Sequence, residues 1–301
     1  MKSAFFISFY ILMQLCCAQN SLDLATISYR YGSPQPAEAS RGTAVEKVAL
    51  INVKVPIVFS SSTIWYSDFT YQSSYVKYSQ DFPNTVNPTK LTGLIVQTGL
   101  VRQFENGTGF QLLVVPRLMT DFQGMDIGHF QLGGIGLFEK RYHDKLTMRY
   151  GLMYNREFFG NMFVPLIYID WQTDTRWSVK GLFPIFTKIA YQANDKFSFG
   201  LSHFGLITSY QVGDPAYSLD YIERKSIDLT VFFRYLLAGN IHFETRGGLA
   251  LGRSYRQFAK GDEMDFRIAI FSFGDERMQK NVSFDPGPII DVRLVYNMPL
   301  D

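Results

Sequence analysis

Ile241-His242-Phe243-Glu244-Thr245-Arg246-Gly247-Gly248-Leu249-Ala250-Leu251-Gly252-Arg253-Ser254-Tyr255 separates into two unlike rows when alternate residues are taken. One row holds Ile241, Phe243, Thr245, Gly247, Leu249, Leu251, Arg253 and Tyr255; the other holds His242, Glu244, Arg246, Gly248, Ala250, Gly252, Ser254 and Arg256. Successive side chains of a strand point to opposite sides, so this segment has one greasy and one ionic face. Ser226 to Leu237 repeats the split: Ile227, Leu229, Val231, Phe233, Tyr235 and Leu237 oppose Ser226, Asp228, Thr230, Phe232, Arg234 and Leu236. Segments of about ten such residues, punctuated by turn chemistry, are the pattern of a transmembrane β-barrel.

The rest of the 301 residues agrees with that reading. The chain is 47% hydrophobic and 16% aromatic, with 27 Phe and 18 Tyr, which excludes disorder and is rich for a water-soluble domain. A net charge of +2 supplies no basic field for nucleic acid. Lys2, the apolar run Ala4 to Leu15 and the small residues of Cys16-Cys17-Ala18 spell a signal peptide over 1–18, cleaved near Ala18, which leaves 19–301 as one barrel domain. The apolar run is shorter than the roughly 20 residues a helical span needs. Leu15 before Cys16 disfavours a lipoprotein signal. Both cysteines lie in this leader, so the remainder has no disulfide and must hold itself by a core or by closed strand pairing. No other stretch approaches a helical span, and lipid otherwise tolerates only a closed sheet.

Turn chemistry fixes the approximate stave count. Asn106-Gly107 is the strongest hairpin cue, with others at His143-Asp144, Thr173-Asp174-Thr175, Asn194-Asp195 and Ala238-Gly239-Asn240. Longer connections fall at 32–44, 72–89, 121–127, 157–162, 211–224 and 257–284. Short turns alternating with long loops are the arrangement of outer-membrane barrels. The expected strands are 22–31, 45–55, 60–71, 90–104, 109–120, 128–141, 145–156, 163–172, 177–183, 187–193, 196–210, 225–237, 241–256 and 285–297. This is an all-β, antiparallel, up-and-down barrel of about fourteen strands, with twelve as the alternative count. Arg267 to Phe273 reads as an extra β-hairpin arm in the last loop. Trp171 and Trp177, Tyr191 and Phe197, and Phe104 and Phe110 flank short turns, where a headgroup belt places aromatics. A soluble β-sandwich also alternates, but strand length and the charge of the second face weigh against it.

If the greasy rows meet lipid, the other rows face a lumen. They carry Arg149, Lys188, Asp228, Arg234, Glu244, Arg246, Asp291 and Arg293 as candidate pore-lining residues, with Lys180 and Arg256. Acids and bases are interspersed, so a cross-strand ion network is expected before a single-sign selectivity ring.

Catalytic and cofactor patterns fail on spacing. Gly200-Leu201-Ser202-His203-Phe204-Gly205 approaches a nucleophile elbow, but its closing Gly is one residue late and it lies within a strand. His129, His143, His203 and His242 lack metal-ligand spacing, and Asp121 to Asp126 lacks the acidic series of a calcium loop. Asp262, Glu263 and Asp265 beside Lys260 and Arg267 read as a solvated loop. Gly133-Gly134-Ile135-Gly136 leads into no helix and marks close packing or a bend. The expectation is therefore no enzyme, no cofactor and no metal.

Two motifs carry a family resemblance over roughly 45–297. Gly109-Phe110-Gln111-Leu112-Leu113-Val114-Val115-Pro116-Arg117-Leu118, running into Asp121, resembles one signature. Asn161-Met162-Phe163-Val164-Pro165-Leu166-Ile167-Tyr168, followed by Gly181-Leu182-Phe183-Pro184, resembles another. Together they are similar to a family of signal-peptide-bearing outer-membrane barrels catalogued as a domain of unknown function. The resemblance implies the envelope of a Gram-negative cell and assigns no substrate. The chain departs from the usual barrel ending, with Asn297-Met298-Pro299-Leu300-Asp301 where a terminal Phe is customary.

The expected role is a passive pore or transport channel for a small solute in the outer membrane, surrounded by outer-membrane lipid. The alternatives are an accessory barrel docking a protein partner through 72–89 and 257–284, and a membrane-embedded hydrolase.

Overall fold

A computed structural model describes residues 21–36, 42–81, 83–124, 127–217, 219–283 and 285–299, so the leader expected over 1–18 lies outside it. The wall runs β1 (Ser21–Pro36), β2 (Thr43–Ser60), β3 (Thr63–Tyr78), β4 (Thr89–Gln103), β5 (Thr108–Thr120), β6 (Phe130–His143), β7 (Leu146–Glu157) and β8 (Gly160–Gln172). It continues through β9 (Trp177–Phe183), β10 (Phe186–Asn194), β11 (Phe197–Gln211), β12 (Tyr221–Ala238), β13 (Ile241–Ala250) and β14 (Ser254–Phe258). The last connection carries β15 (Phe266–Ile268) and β16 (Phe271–Phe273), and β17 (Gly287–Pro299) ends the sheet. Each stave pairs antiparallel with the next, and β17 meets β1 from Ser21↔Pro299 to Gly32↔Ile289, which closes the ring. Since β13 and β14 both pair with β12 and form one interrupted stave, the barrel has fourteen.

Closure follows from the alternation. Ile51, Val53, Val55, Ile57 and Phe59 on β2, and Leu229, Val231, Phe233, Tyr235 and Leu237 on β12, stand exposed on the outside. Glu46, Asp228 and Glu244 are buried on the inside. Exposing a large apolar side chain to water forfeits roughly 1.5–3 kcal/mol each, so an exterior built of dozens of them is stable only in hydrocarbon. Asn106 starts the tight β4–β5 turn by accepting from the Thr108 amide at 3.1 Å, and Gly107 takes φ +74° there, which a side chain resists. Rings gather at this end: Trp177 lies 5.1 Å from Tyr191 and Phe104 lies 6.0 Å from Phe110.

Several boundaries differ from those expected. β2 runs through Pro56 to Ser60 and turns at 61–62; β1 pairs with it only as far as Val53, so Pro56 stands where one edge has no ladder partner. Residues 72–78 extend β3 instead of opening a loop, so that connection shrinks to 79–88. Residues 221–224 belong to β12. The stave expected over 241–256 is interrupted at 251–253, and the interruption reverses its rows. Arg253 and Tyr255, which unbroken alternation would aim at lipid, are instead buried inside against Glu46. The break turns a cation that alternation would aim outward onto a buried carboxylate. The hairpin expected near 267–273 is present as β15 and β16.

The loop end differs from the turn end. From Thr208 to Gly213 and from Asp220 to Arg224 every consecutive residue is buried, whereas wall segments alternate. Both faces of the β11–β12 hairpin end are therefore covered by protein: it has folded into the mouth. Gln211 of β11 reaches Thr120 of β5 across the ring, and Gln72 of β3 donates to the Tyr210 hydroxyl at 2.8 Å.

Adjacent positions on β10 test the facing. Ile189→Arg should lower the folded fraction in bilayers by about 2–4 kcal/mol, whereas Ala190→Arg, whose side chain points into the barrel, should cost well under half of that. Heat-modifiable gel mobility and urea unfolding in lipid measure both, and equal damage would refute the assigned facing.

Candidate functional site

The interior has two chemically distinct walls. The charged wall is built from β1, β10, β12, β13 and β17. At its centre Glu244 accepts from Lys188 Nζ at 2.6 Å, Arg234 Nε at 2.6 Å and Arg246 Nε at 2.7 Å. Arg234 also holds Asp23 through both terminal nitrogens at 3.0 and 2.8 Å, and Asn297 donates to the same carboxylate at 2.6 Å. Lys188 Nζ lies 3.9 Å from the centroid of the inward Phe232 ring. Arg293 pairs with Asp291 at 2.7 Å on the neighbouring stave.

Of the eight residues singled out from sequence, Lys188, Arg234, Glu244 and Arg246 meet directly, with Asp291 and Arg293 beside them. Arg149 is elsewhere: it pairs with Glu139 on β6 and lies 4.4 Å from the Tyr168 ring centroid. Asp228 joins a second cluster nearer the loops, pairing with Arg30 and accepting from Ser226 at 2.8 Å. Lys180 reaches Asp170 at 3.5 Å, and Arg256 pairs with Glu223. Asp23, Arg30, Glu46 and Glu139 were not singled out from sequence. Arg30 was discoverable, since it alternates with the lipid-side Ile27, Tyr29 and Tyr31; Glu46 sits beside Lys47 at a stave end, where alternation is shortest.

Three buried carboxylates anchor the inward hairpin end. Glu46 accepts from the Tyr255 hydroxyl at 2.6 Å, Arg30 at 2.7 Å and Arg253 at 3.3 Å, with Arg224 at 3.7 Å. Glu157 accepts from Arg117 at 2.9 Å and from the Ser209 amide and hydroxyl at 2.9 and 2.7 Å. Glu223 pairs with Arg256, with Arg267 at 3.3 Å and with Arg277 at 3.0 Å. In the same loop, hydrogen bonds from Arg277 hold the Asp275 carboxyl below its usual range. The plug thus continues the β11–β12 and β12–β14 ladders inward, and side chains fasten it to the facing wall.

The apolar wall lies opposite. Leu113 and Val115 of β5, Ile135 and Leu137 of β6, and Met162, Val164 and Leu166 of β8 point inward and pack with Phe159, Tyr221, Phe258 and Met264. Beside this plug a cavity of about 490 Å³ opens at the loop end, lined by residues including Gln131, Glu157, Phe158, Gln211 and Tyr221.

The other sequence candidates form no reactive group. Ser202 points inward and shares a hydrogen bond of 2.7 Å with Thr230, while its neighbour His203 stands 6.3 Å from the Phe183 ring on the other side. No cluster of three metal-ligating side chains occurs among the described residues. Asp121 caps its own loop, accepting the amides of Gln123 and Gly213 at 3.0 Å each; Asp126 lies outside the described residues. Glu263 pairs with Arg156 at 2.7 Å. A Cβ on Gly133 would collide with Asn155, so this glycine serves the close β6–β7 approach.

Solved structures with a similar course of chain are outer-membrane barrels. An outer membrane channel from Pseudomonas putida F1 aligns over 91% of this chain and 94% of its own at 10% identity, with a TM-score of 0.44. The translocator domain of the autotransporter NalP from Neisseria meningitidis aligns over 98% and 95% at 10% identity, TM-score 0.36. The NanC porin aligns over 90% and 98% at 8% identity, TM-score 0.36. Likeness at this distance concerns the course of the chain alone. No curated protein matches the chain. The profile of a domain of unknown function, DUF6268, matches residues 16–284, and the chain belongs to that family.

Proposed function

We propose that the protein is an outer-membrane channel for small solutes, exported by a signal peptide cleaved near Ala18, whose outer mouth is closed by its own β11–β12 hairpin end. The observation that carries this reading is the contrast along the axis. Wall side chains fill a barrel of about eight strands, and fourteen enclose more space than they can fill. Here the surplus is occupied at the loop end by a side-chain-fastened plug, while the turn end keeps a wall of compensated charges around Glu244. Lys188, Asp228, Arg234, Glu244, Arg246, Asp291, Arg293 and, across the lumen, Arg149 are the proposed pore-lining charges.

The plug itself favours a second reading, an accessory barrel that conducts nothing and docks a partner through 79–88 and the last loop. These two segments are already tied together, since Gln257 bridges the Asn84 carbonyl and Val86 amide at 3.0 Å each. The Ser202–His203 geometry supports no hydrolase.

Planar-bilayer recording separates the readings. The channel should show small, infrequent openings, and persistent silence of folded protein would favour the accessory barrel. Glu46→Gln should raise the open fraction, because it removes the anion shared by Arg224 and Arg253 and leaves Arg30 with Asp228 alone; one-sided loss of a buried ion pair costs about 3–5 kcal/mol. Glu244→Gln should leave openings as frequent but shift the reversal potential towards anion preference, since Lys188, Arg234 and Arg246 lose their counter-charge. An unchanged reversal potential would remove these residues from the conduction path.

A further inference from the structure

The barrel wall has a break facing the bilayer. β9 and β10 are short, so β9 covers β8 only from Ile167 to Gln172, and β10 covers β11 only from Phe197 to Phe204. Above the β9–β10 turn, the facing edges of β8 and β11 are two staves apart. The last loop supplies a substitute. β15 descends beside β8 in parallel, with Phe266↔Asn161, Arg267↔Met162 and Ile268↔Phe163, and the Ala269 amide donates to the Phe163 carbonyl at 2.8 Å. β16 pairs with β15, and no register joins it to β11 among the described residues. Among the described residues the patch is therefore laddered to the wall on its β8 side only.

Its depth and chemistry suit the bilayer. Trp171, in the turn-side aromatic belt, lies eight residues from Phe163 on β8; at a rise near 3.4 Å and a tilt near 40° that is roughly 20 Å, inside a 25 Å apolar band. Phe266, Ile268, Ile270, Phe271 and Phe273 of the patch are exposed outward, whereas Arg267 turns inward to Glu223 and lies 4.5 Å from the Phe159 ring centroid. Gly160 takes φ +120° and lets the Met264 carbonyl come so close that a Cβ would meet it at 2.6 Å, which seats the hairpin on β8. Directly behind the hairpin lies the Glu223 ion cluster with Arg256, Arg267 and Arg277, and below it, towards the β9–β10 turn, the interior is apolar. Val164 and Leu166 lead to Leu182, Ile185 and Ile207 at its rim, and Phe158 and Tyr221 connect the same cluster to the outer cavity.

Building on the channel reading above, we propose that the β15–β16 hairpin is a shutter over a lateral port, and that the apolar wall carries small hydrophobic solutes from the outer cavity through this port into the membrane. Hydrocarbon solutes gain nothing from the charged wall and follow the apolar one, and a minor shutter-open population sets their flux. The ionic path along the axis stays separate.

The test uses the full-length protein in cells, with uptake of N-phenyl-1-naphthylamine as the apolar probe and potassium chloride conductance in bilayers as the axial readout. Phe163→Cys with Ile268→Cys places two outward thiols on paired positions, within reach of a disulfide, in a chain whose own cysteines are Cys16 and Cys17. Oxidation should lower dye uptake about tenfold, reductant should restore it, and conductance should not change. Arg267→Gln, which loosens the inner tether, should raise uptake. Equal uptake by oxidised and reduced protein, or no rise with Arg267→Gln, overturns the port while leaving a conducting channel intact. Absence of both conductance and dye uptake in the unmodified protein overturns the channel and the port together.

Discussion

Hydrocarbon offers no partner for a backbone amide, and that one constraint organises this molecule. Every stave must find a neighbour on both edges, so the sheet closes through β17 and β1, and its two faces inherit opposite tasks. The outward rows dissolve in lipid. The inward rows must then take all the charge of the wall, where a buried ion without a partner is far costlier than on a surface. The clusters around Glu244, Glu46 and Glu223 are what that requirement produces, one carboxylate collecting several cations, while Glu157 holds Arg117 and fills its other lone pairs with the Ser209 amide and hydroxyl.

Where the closure rule is locally broken, the chain spends its longest loop on repair. The short β9–β10 hairpin leaves edges of β8 and β11 without a ladder, and the β15–β16 hairpin lies down in the vacancy with its Phe and Ile side chains turned to lipid. Three parallel pairs and one ion pair are a weak substitute for a continuous stave. A wall needed only for stability gains nothing from such a patch, because two longer strands would serve better. The same loop end holds the inward β11–β12 hairpin, so the outer mouth and the side wall are governed by neighbouring segments.

The plug differs in kind from the wall. Ladder bonds alone fix the wall's register, whereas the plug, laddered along β11, β12 and β14, is also fastened by side chains to wall residues far along the chain: Arg224 to Glu46, Ser209 to Glu157. Such contacts depend on the wall for their placement, and charge substitutions there should alter the plug with little effect on the barrel.

Alternation by itself determined the fold class and the lipid-facing side of most strands, because a period of two is a local property that any closed sheet must express; turn residues gave the approximate stave count, and the motifs at 109–118 and 161–184 gave the family. It also located the β15–β16 hairpin and the charges around Glu244. It did not determine which charges meet. Asp23 and Arg234 are brought together by ring closure, and Arg149 is taken away from the others by its place on β7. Nor did it locate the reversal at 251–253: Arg253 stands in the greasy row as a lone charge, and only Glu46, inside on β2, makes turning it inward favourable. The inward course of β11 left only a faint mark: in its outward row Phe197, Phe199 and Leu201 give way to Gly205, Ile207, Ser209 and Gln211, which does not say what those residues meet. Whether they meet lipid or protein is decided by the shortness of β9 and β10, which leaves that edge nothing to pair with at the membrane surface.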